Sequence, residues 1–507
     1  MSSTEPARPR TTIDLTSRVS SGLFASQPAG LPRLFFTELW ERFSYYGMRA
    51  LLTLFMVTPI AQGGLALSTP DAAQIYGNYT MAVYMLSIPG GFIADRILGA
   101  RRSVLVGGWI IALGHYCLAY PSLATFYTGL VLIALGTGLF KPNISGLVGA
   151  LYAPGDERRD AGFSIFYMGV NIGAFIAPLV TGFLAQSATF KDWLTAAGFD
   201  PTTSWHWGFG AAGVGMTLAM LEFMRSGHVL EEPVSLAERL EGRRGLWRDG
   251  VAMSGLTLGL LALAMLSDMP SLEWLRWMFL VLPLAGIAWC VKKGTRDHQR
   301  LAAIGVLFIA AIVFFAIFEQ MGTSMSLFAD RLTVNSFFGL PFPSSYWQAV
   351  NPIFVILLAP LFALLWLRLG RRQPSAAVKF AFGLALVALS FAWMIPAAKL
   401  AAEGKVSPIW LAGLFFLQTS GELLLSPVGL STMTKLAPAR MTGFVLGLWF
   451  LAAAFGNKLA GVLGGNFQAE DPAALVDFFA TQALWVGLAA ALMLAVSRWV
   501  NRLSGEH

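Results

Sequence analysis

The chain has 507 residues, of which 56% are hydrophobic and only 12% are charged, and its mean hydropathy is +0.63. This composition excludes a disordered chain and an ordinary soluble domain, and it predicts an all-α membrane protein that crosses the bilayer many times. The net charge of +7 would fit a nucleic-acid-binding protein, but the positions of the basic residues, described below, argue against one.

The first long apolar run follows a polar tail, residues 1–30, that lacks the apolar core of a cleavable signal peptide. Four ionisable side chains lie within this run: Glu38, Glu41, Arg42 and Arg49. A charge near the bilayer centre costs at least about 2.5–3.5 kcal/mol on insertion scales, so these groups must face protein or water. Helical spacing puts them on one face together with Tyr45, with Tyr46 at its margin. We therefore expect this face to meet a polar, charged guest or partner.

Apolar runs of the length needed to cross a bilayer predict fourteen transmembrane helices. They are centred on residues 33–61, 72–95, 103–121, 123–150, 160–187, 205–225, 246–267, 271–291, 299–329, 346–367, 376–397, 407–434, 442–465 and 472–497. Of the 35 Lys and Arg residues, 26 fall in segments on one side of the membrane and five on the other. The positive-inside rule then predicts that both termini are cytoplasmic, and it explains the basic charge without nucleic acid.

The fourteen helices divide around a central insertion. A polar stretch and two helices without interior acids or bases occupy residues 227–298, and we interpret them as a cytoplasmic linker and two extra transmembrane helices. The remaining helices form an N-terminal six-helix bundle, residues 31–226, and a C-terminal six-helix bundle, residues 299–507. Transporters commonly place their binding site at the interface between two such halves.

Further ionisable and polar side chains lie inside later helices. Lys141, beside Pro142 in the fourth run, either faces a cavity or snorkels to the membrane surface. Tyr167 and Asn171 lie one turn apart in the fifth, where glycine spacing also fits simple helix packing. The C-terminal half carries lone acids, Glu319 and Glu422. Lys458 is discounted as a partner for them, because it lies late in its helix and can snorkel outward.

This distribution suggests a switch. Bases are concentrated in the first half and lone acids in the second, so bridges between the halves would depend on which gate is open. Protonation of a carboxylate would weaken such a bridge and couple proton uptake to gating. Asp95 and Arg96, in the loop between the second and third runs, are candidate gating residues, although a charged turn that obeys the positive-inside rule explains them equally well. Tyr76 and Tyr79 are interpreted as interfacial or packing aromatics, whereas Tyr84 lies deepest and is kept as a site candidate.

Two motifs carry a family resemblance. Glu-x-x-Glu-Arg-Phe-x-Tyr-Tyr-Gly, residues 38–47, resembles the signature of the proton-dependent oligopeptide transporter family, a branch of the major facilitator superfamily. Phe-Tyr-x-x-x-Asn-x-Gly, residues 166–173, is similar to the second signature of that family. The resemblance implies the major facilitator fold with two extra helices, in a monomeric, cofactor-free symporter of the cell inner membrane that imports di- and tripeptides with protons.

The resemblance also implies roles for individual residues. Proton coupling would fall to Glu38, Glu41, Arg42 and Glu319, with Arg49–Glu319 and Lys141–Glu422 as candidate bridges. The residues implied in substrate binding are Tyr45, Tyr46, Arg49, Tyr84, Lys141, Tyr167, Asn171, Asn351, Glu422, Ser426 and Trp449. Phe315 replaces a tryptophan found in several bacterial members, and Phe318 replaces an acid found in some, so peptide preference and proton number are expected to differ.

Other function classes have less support in the sequence. The two cysteines, Cys117 and Cys290, lie in apolar runs and suggest neither a disulfide framework nor a thiolate metal site. The helices contain no Ser-His pair or His/Asp cluster that would indicate a membrane-embedded enzyme. Two alternative functions remain compatible with the sequence: a receptor, and a nitrate or drug carrier on the same scaffold. The intact Glu-x-x-Glu-Arg cluster favours a proton-coupled carrier among these.

Overall fold

A computed structural model describes residues 24–153, 156–226, 230, 246–337, 339–437 and 442–504. The N-terminal half contains α1 Gly30–Val57, α2 Thr69–Met85, α3 Ser87–Ile93, α4 Ala100–Leu118, α5 Leu123–Ala150, α6 Arg158–Gln186, α7 Ala188–Ala196 and α8 Ser204–Met224. Two central helices follow, α9 Leu246–Leu266 and α10 Met278–Lys293, with a 3₁₀ segment at Pro270–Trp277 between them.

The C-terminal half is also helical. It contains α11 Arg296–Phe318, α12 Ser324–Leu332, α13 Val350–Leu369, α14 Ala376–Leu400, α15 Ile409–Leu436, α16 Thr442–Gly464 and α17 Pro472–Ser504. Two-residue strands, β1 Ser336–Phe337 and β2 Leu340–Pro341, pair antiparallel in the loop before α13. Each of the fourteen predicted membrane segments overlaps one or two of these helices, which confirms the predicted fold class.

Eleven helical segments within the described residues are long and apolar enough to cross a membrane. The helix α1 is not among them, although it has 28 residues, because its charged cluster lowers its apolar character. Twenty-one residues of α1 are buried all the same, since it packs against α6 and α8 inside the N-terminal half. This burial explains how charged residues are tolerated there.

Two predicted helices are each interrupted in the structure. The predicted segment 72–95 divides into α2 and α3 at Leu86. The predicted segment 299–329 divides at Glu319–Gly322, which forms a 3₁₀ turn between α11 and α12. A 3₁₀ turn inside a long helix often marks a functional hinge or local strain. Here it places Glu319 at the end of α11.

The two halves meet at the end of the bundle where α1 ends and α2 begins, which we call the closed end. There α2 packs on α16 through glycines: a Cβ atom on Gly461 would lie 2.6 Å from the Ala73 carbonyl oxygen and 2.8 Å from Gly77 Cα. Thr53 donates a hydrogen bond to the Gly322 carbonyl at 2.6 Å, and the Gln186 amide donates to Ser344 Oγ at 3.0 Å. These contacts bring polar residues of the two halves into register.

Candidate functional site

The charged motif of α1 forms a buried ion-pair cluster. Arg42 Nε lies 2.9 Å from Glu38 Oε1 and 2.5 Å from Glu41 Oε2, and all three side chains are at most 6% exposed. Glu38 and Arg42 are four residues apart on one face of the helix, which is the spacing that allows this contact. The Arg42 guanidinium also lies 5.5 Å from the ring centroid of Tyr45. One cation thus holds two carboxylates that would otherwise repel each other.

Arg49, two turns further along α1, connects the halves. Its guanidinium forms a salt bridge with Glu319 and donates a second hydrogen bond to the Tyr76 hydroxyl. Arg49 and Glu319 are both more than nine-tenths buried. The candidate bridge between Arg49 and Glu319 is therefore present in this conformation. Because Glu319 belongs to the C-terminal half, this bridge forms part of the contact at the closed end.

Lys141 does not have the surroundings that the candidate Lys141–Glu422 bridge requires. Its Nζ atom lies 3.8 Å from the ring centroid of Tyr84, a cation–π contact. It is also close enough to Glu38, Glu41 and Glu319 to interact with them electrostatically. Lys141 faces the interior of the molecule and does not snorkel to the surface. An ion pair with Glu422 is absent from the salt bridges of the described residues, so the Lys141–Glu422 bridge is not formed here.

Glu422 instead accepts a hydrogen bond from an amide of the C-terminal half. Asn351 Nδ2 donates to Glu422 Oε2 at 3.1 Å and to Thr419 Oγ1 at 2.9 Å. Ser426 lies one turn further along α15, and Asn351, Glu422 and Ser426 are all partly exposed. This group can accept a positively charged guest, because a carboxylate and an amide oxygen face it together.

Tyrosine side chains lie close to both the cationic and the acidic groups. The rings of Tyr45 and Tyr46 are edge-on with centroids 5.2 Å apart. Tyr46 lies within electrostatic range of charged groups of both halves: Arg42, Arg49, Glu319 and Glu422. Tyr167 is 49% exposed and lies within electrostatic range of Glu422 and Tyr46. Three of the predicted tyrosines, Tyr45, Tyr46 and Tyr84, are near charged groups of both halves.

The two phenylalanines that distinguish the sequence occupy different positions. Phe315 contacts Trp449 edge-on, with ring centroids 5.9 Å apart, and Trp449 is 8% exposed. Phe318 stacks on Phe314 with ring centroids 5.4 Å apart, inside α11. A phenyl ring at 315 offers this region no N–H donor, whereas an indole would. Phe315 thus belongs to the aromatic wall, and Phe318 belongs to the packing of its own helix.

Asn171 makes a hydrogen bond within its own helix, and the gating candidates lie in an exposed turn. Asn171 donates from its amide to the Tyr167 carbonyl at 2.9 Å, within α6. A Cβ atom on Gly173 would lie 2.2 Å from the Leu39 carbonyl oxygen, so the glycines of this motif do allow α6 to approach α1 closely. Asp95 and Arg96 lie in a π-helical turn, Ala94–Leu98, and both are exposed.

One interpretation from the sequence is incomplete and another is wrong. Tyr76 is fully buried, as a packing aromatic is, but its hydroxyl also accepts a hydrogen bond from Arg49. The outward snorkelling expected of Lys458 is wrong, because Lys458 is 1% exposed and forms an ion pair with Asp268. The sequence around Tyr76 and Lys458 does not indicate their partners, because those partners come from distant parts of the chain. Among the described residues, no cluster of three or more His, Cys, Asp or Glu side chains suits a metal ion.

Comparison with known proteins identifies the family. The model of the POT family matches residues 101–474. A peptide transporter of Yersinia enterocolitica is 38% identical over 96% of this chain and 97% of its own length. A di-/tripeptide transporter of Lactococcus lactis is 37% identical over 95% of this chain and 98% of its own length.

The chain belongs to the POT family. A crystal structure of a peptide transporter POT in complex with alafosfalin superposes with a TM-score of 0.81, at 36% identity, and covers 96% of this chain and 98% of the other. A POT family transporter crystallised with 5-aminolevulinic acid has a TM-score of 0.78 at 31% identity, over 96% of this chain and 99% of the other. This chain is accordingly a multi-pass membrane transporter and not an enzyme.

Proposed function

We propose that this POT protein is a proton-coupled symporter that imports di- and tripeptides across the cell inner membrane by alternating access. Both termini would be cytoplasmic, the closed end would face outward, and the monomer would be the working unit. The units proposed are a tail, residues 1–30, a bundle, 31–226, a linker with two extra helices, 227–298, and a second bundle, 299–507. The names of the Yersinia and Lactococcus relatives support the substrate class.

The observation that carries the proposal is the separation of opposite charges across the central region. Arg49 and Lys141 are cations contributed by the N-terminal half, whereas Glu422 and Asn351 form an acidic and amide group in the C-terminal half. A peptide is a zwitterion, so its carboxylate fits the cations and its ammonium group fits Glu422. Asn171 would join Asn351 and Glu422 around the ammonium group. The side chains between the two ends would be contacted by Tyr45, Tyr46, Tyr84, Tyr167, Ser426 and Trp449.

Proton coupling would use the carboxylates that are paired with arginines. Glu319 neutralises Arg49 at the closed end, while Glu38 and Glu41 share Arg42. Protonation of Glu319 removes the charge that holds Arg49, so the closed end would open more easily. Arg49 would then be available to a peptide carboxylate. No cofactor is required in this scheme, since protons are the coupling ion.

The decisive experiment is uptake of labelled dialanine by proteoliposomes under an inward proton gradient. We expect accumulation that requires the gradient and that is inhibited by unlabelled di- and tripeptides but not by free alanine. A panel that includes 5-aminolevulinic acid and peptides with bulky aromatic residues would reveal the effect of Phe315 on selectivity. Uptake that does not respond to the gradient would contradict the proposed coupling.

A further inference from the structure

Three polar side chains from three parts of the chain meet at the closed end. Lys458 Nζ of α16 donates hydrogen bonds to Asp268 Oδ1 at 2.5 Å and to Asn78 Oδ1 at 2.6 Å. Asn78 Nδ2 of α2 donates in turn to Asp268 Oδ2 at 2.8 Å. Lys458 is 1% exposed, and the Asp268 side chain is 12% exposed. Each member of this triad is therefore bonded to the other two.

The turn between α9 and α10 is built to present Asp268. Ser267 Oγ donates to the Ala264 carbonyl at 2.6 Å, and Arg276 Nε donates to the Ser267 carbonyl at 3.0 Å. These bonds tie the end of α9 to the 3₁₀ segment that leads into α10. The backbone that carries Asp268 is thus held in place by neighbouring residues of the same turn.

The hairpin formed by α9 and α10 contacts both halves: α9 packs against α2 and α3, whereas α10 packs against α11. Phe279, at the start of α10, is 1% exposed, and its ring centroid lies 4.7 Å from that of Phe455 in α16. Phe455 precedes Lys458 by one helical turn, so the aromatic contact and the ion pair lie on neighbouring positions of α16. The turn that carries Asp268 is therefore held against α16, the helix that carries Lys458.

Asn78 lies on α2, in the N-terminal half. It follows Gly77, which lies against Gly461 of α16. If α2 and α16 separate while the turn stays on α16 and α9 slides along α2 and α3, both hydrogen bonds of Asn78 break and the Lys458–Asp268 ion pair persists. The charged pair then stays neutralised in both conformations, and the neutral amide is the member that is released. This division avoids leaving a buried charge without a partner.

We propose that the α9–α10 hairpin is a latch for the closed end, in which Asp268 aims Lys458 at Asn78 and thereby favours the conformation closed at that end. The inference rests on the proposed alternating access. It gives the two extra helices a function: they set the equilibrium between the two conformations without contacting the peptide. Asn78, Asp268 and Lys458 are positioning residues in this scheme.

Distances between spin labels on opposite halves test the latch directly. One pair, at Gln62 and Glu470, reports on the closed end, and a second, at Glu157 and Lys435, reports on the opposite end; all four residues are exposed. The labels are placed in a background in which Cys117 and Cys290 are serine. The variants are Asn78→Leu and Asp268→Asn. Glu273→Gln is the matched control, because Glu273 lies in the same turn with a side chain that is 66% exposed.

We expect Asn78→Leu and Asp268→Asn each to raise the ratio of open to closed molecules at the Gln62–Glu470 pair by about tenfold, since each removes hydrogen bonds to a buried charged group. The double variant should add little to either single change. The exchange Asp268→Lys with Lys458→Asp should restore part of the closed population. Distance distributions equal to those of Glu273→Gln for both single variants would overturn the latch.

The measurement needs neither peptide nor gradient, so it is independent of the substrate assignment. Unfolded variants are recognised by gel filtration, and Asn78→Leu, which leaves the ion pair intact, keeps the test available if Asp268→Asn does not fold. A wild-type protein that accumulates dialanine, with variants that leave the distances unchanged, would reject the latch alone. Shifted distances in a protein that fails to transport dialanine would support the latch and reject the proposed function.

Discussion

At the level of single residues, the Arg49–Glu319 contact combines two tasks in one ion pair. It neutralises two buried charges, and it joins α1 to the end of α11. Breaking a buried pair by removal of one partner typically costs about 3–5 kcal/mol, because the other charge is left without compensation. The free-energy cost of losing the charge on Glu319 is therefore large enough to alter the equilibrium between two conformations. A proton delivered to Glu319 can accomplish the same change reversibly.

This reasoning predicts the behaviour of Glu319→Gln. The variant should lose gradient-driven uptake of dialanine, by about 100-fold or more, because it has no titrating group at this position although binding groups remain. Exchange of labelled for unlabelled peptide at equal pH should persist. The control is Glu403→Gln, an exposed acid after α14, which should leave both activities unchanged. Equal loss of uptake and exchange in Glu319→Gln would show that the acid is only structural.

The residues of the site differ in how far the sequence could identify them. Glu38, Glu41, Arg42 and Arg49 are recognisable because charges inside an apolar helix need a buried partner or water. The motif could not indicate that Arg49 would also bond Tyr76, because the two lie on different helices whose approach depends on the tertiary fold. Lys458 illustrates the same limit, since its partner Asp268 lies 190 positions away.

At the level of helices, hydropathy predicts a helix at each of the fourteen runs, of which eleven helical segments within the described residues are long and apolar enough to cross a membrane. Hydropathy does not predict the interruption at Glu319–Gly322, because the stretch contains no proline and an isolated glycine is tolerated inside a helical pattern. It depends on contacts made only in the folded protein, such as the hydrogen bond from Thr53 to the Gly322 carbonyl. Helix existence is thus a local property, whereas a break inside a helix depends on its neighbours.

The α2–α16 contact leads to a prediction about helix packing. Gly461→Leu should separate the two helices, since a Cβ atom at this position meets backbone atoms of Ala73 and Gly77 that cannot move aside individually. Overpacking of this kind costs about 1–3 kcal/mol. It would destabilise the conformation in which α2 and α16 are in contact, favour the conformation in which they are separated, and reduce dialanine uptake. The measurement is the Gln62–Glu470 label distance together with the uptake rate.

The same helix provides the control for this substitution. Gly447 of α16 has open space where a Cβ atom would lie, so Gly447→Leu should leave the distance and the rate close to those of the wild type. If Gly461→Leu and Gly447→Leu behaved alike, the glycine contact would have no part in holding the closed end together. A reduction in rate without a change in distance would assign Gly461 to another step.

At the level of the whole molecule, the arrangement is consistent with two bodies that share a central charged region. The predicted proton-coupling and substrate-binding residues come from α1, α2, α5, α6, α13, α15, α16 and the turn after α11, so neither half contains all of them. The division into halves was inferred from the charge distribution along the sequence and stays a prediction. The latch at Asn78, Asp268 and Lys458 was beyond sequence reasoning, because it requires three distant segments to converge.

The last prediction concerns the thermodynamics of the transport cycle. A zwitterionic peptide such as dialanine carries no net charge, so only the accompanying protons respond to a gradient. With the membrane potential clamped at zero and the outside one pH unit more acidic than the inside, each coupled proton contributes about 1.4 kcal/mol, or a tenfold accumulation ratio. One proton per peptide thus predicts a ratio of about 10 and two protons a ratio of about 100. Because Phe318 occupies the position at which some relatives have an additional acid, we expect the lower ratio.

The plateau of dialanine accumulation measures this ratio, with a proton ionophore as the control. A plateau near 100 would contradict the assignment of Phe318, whereas a plateau near 1 that the ionophore leaves unchanged would rule out proton coupling altogether.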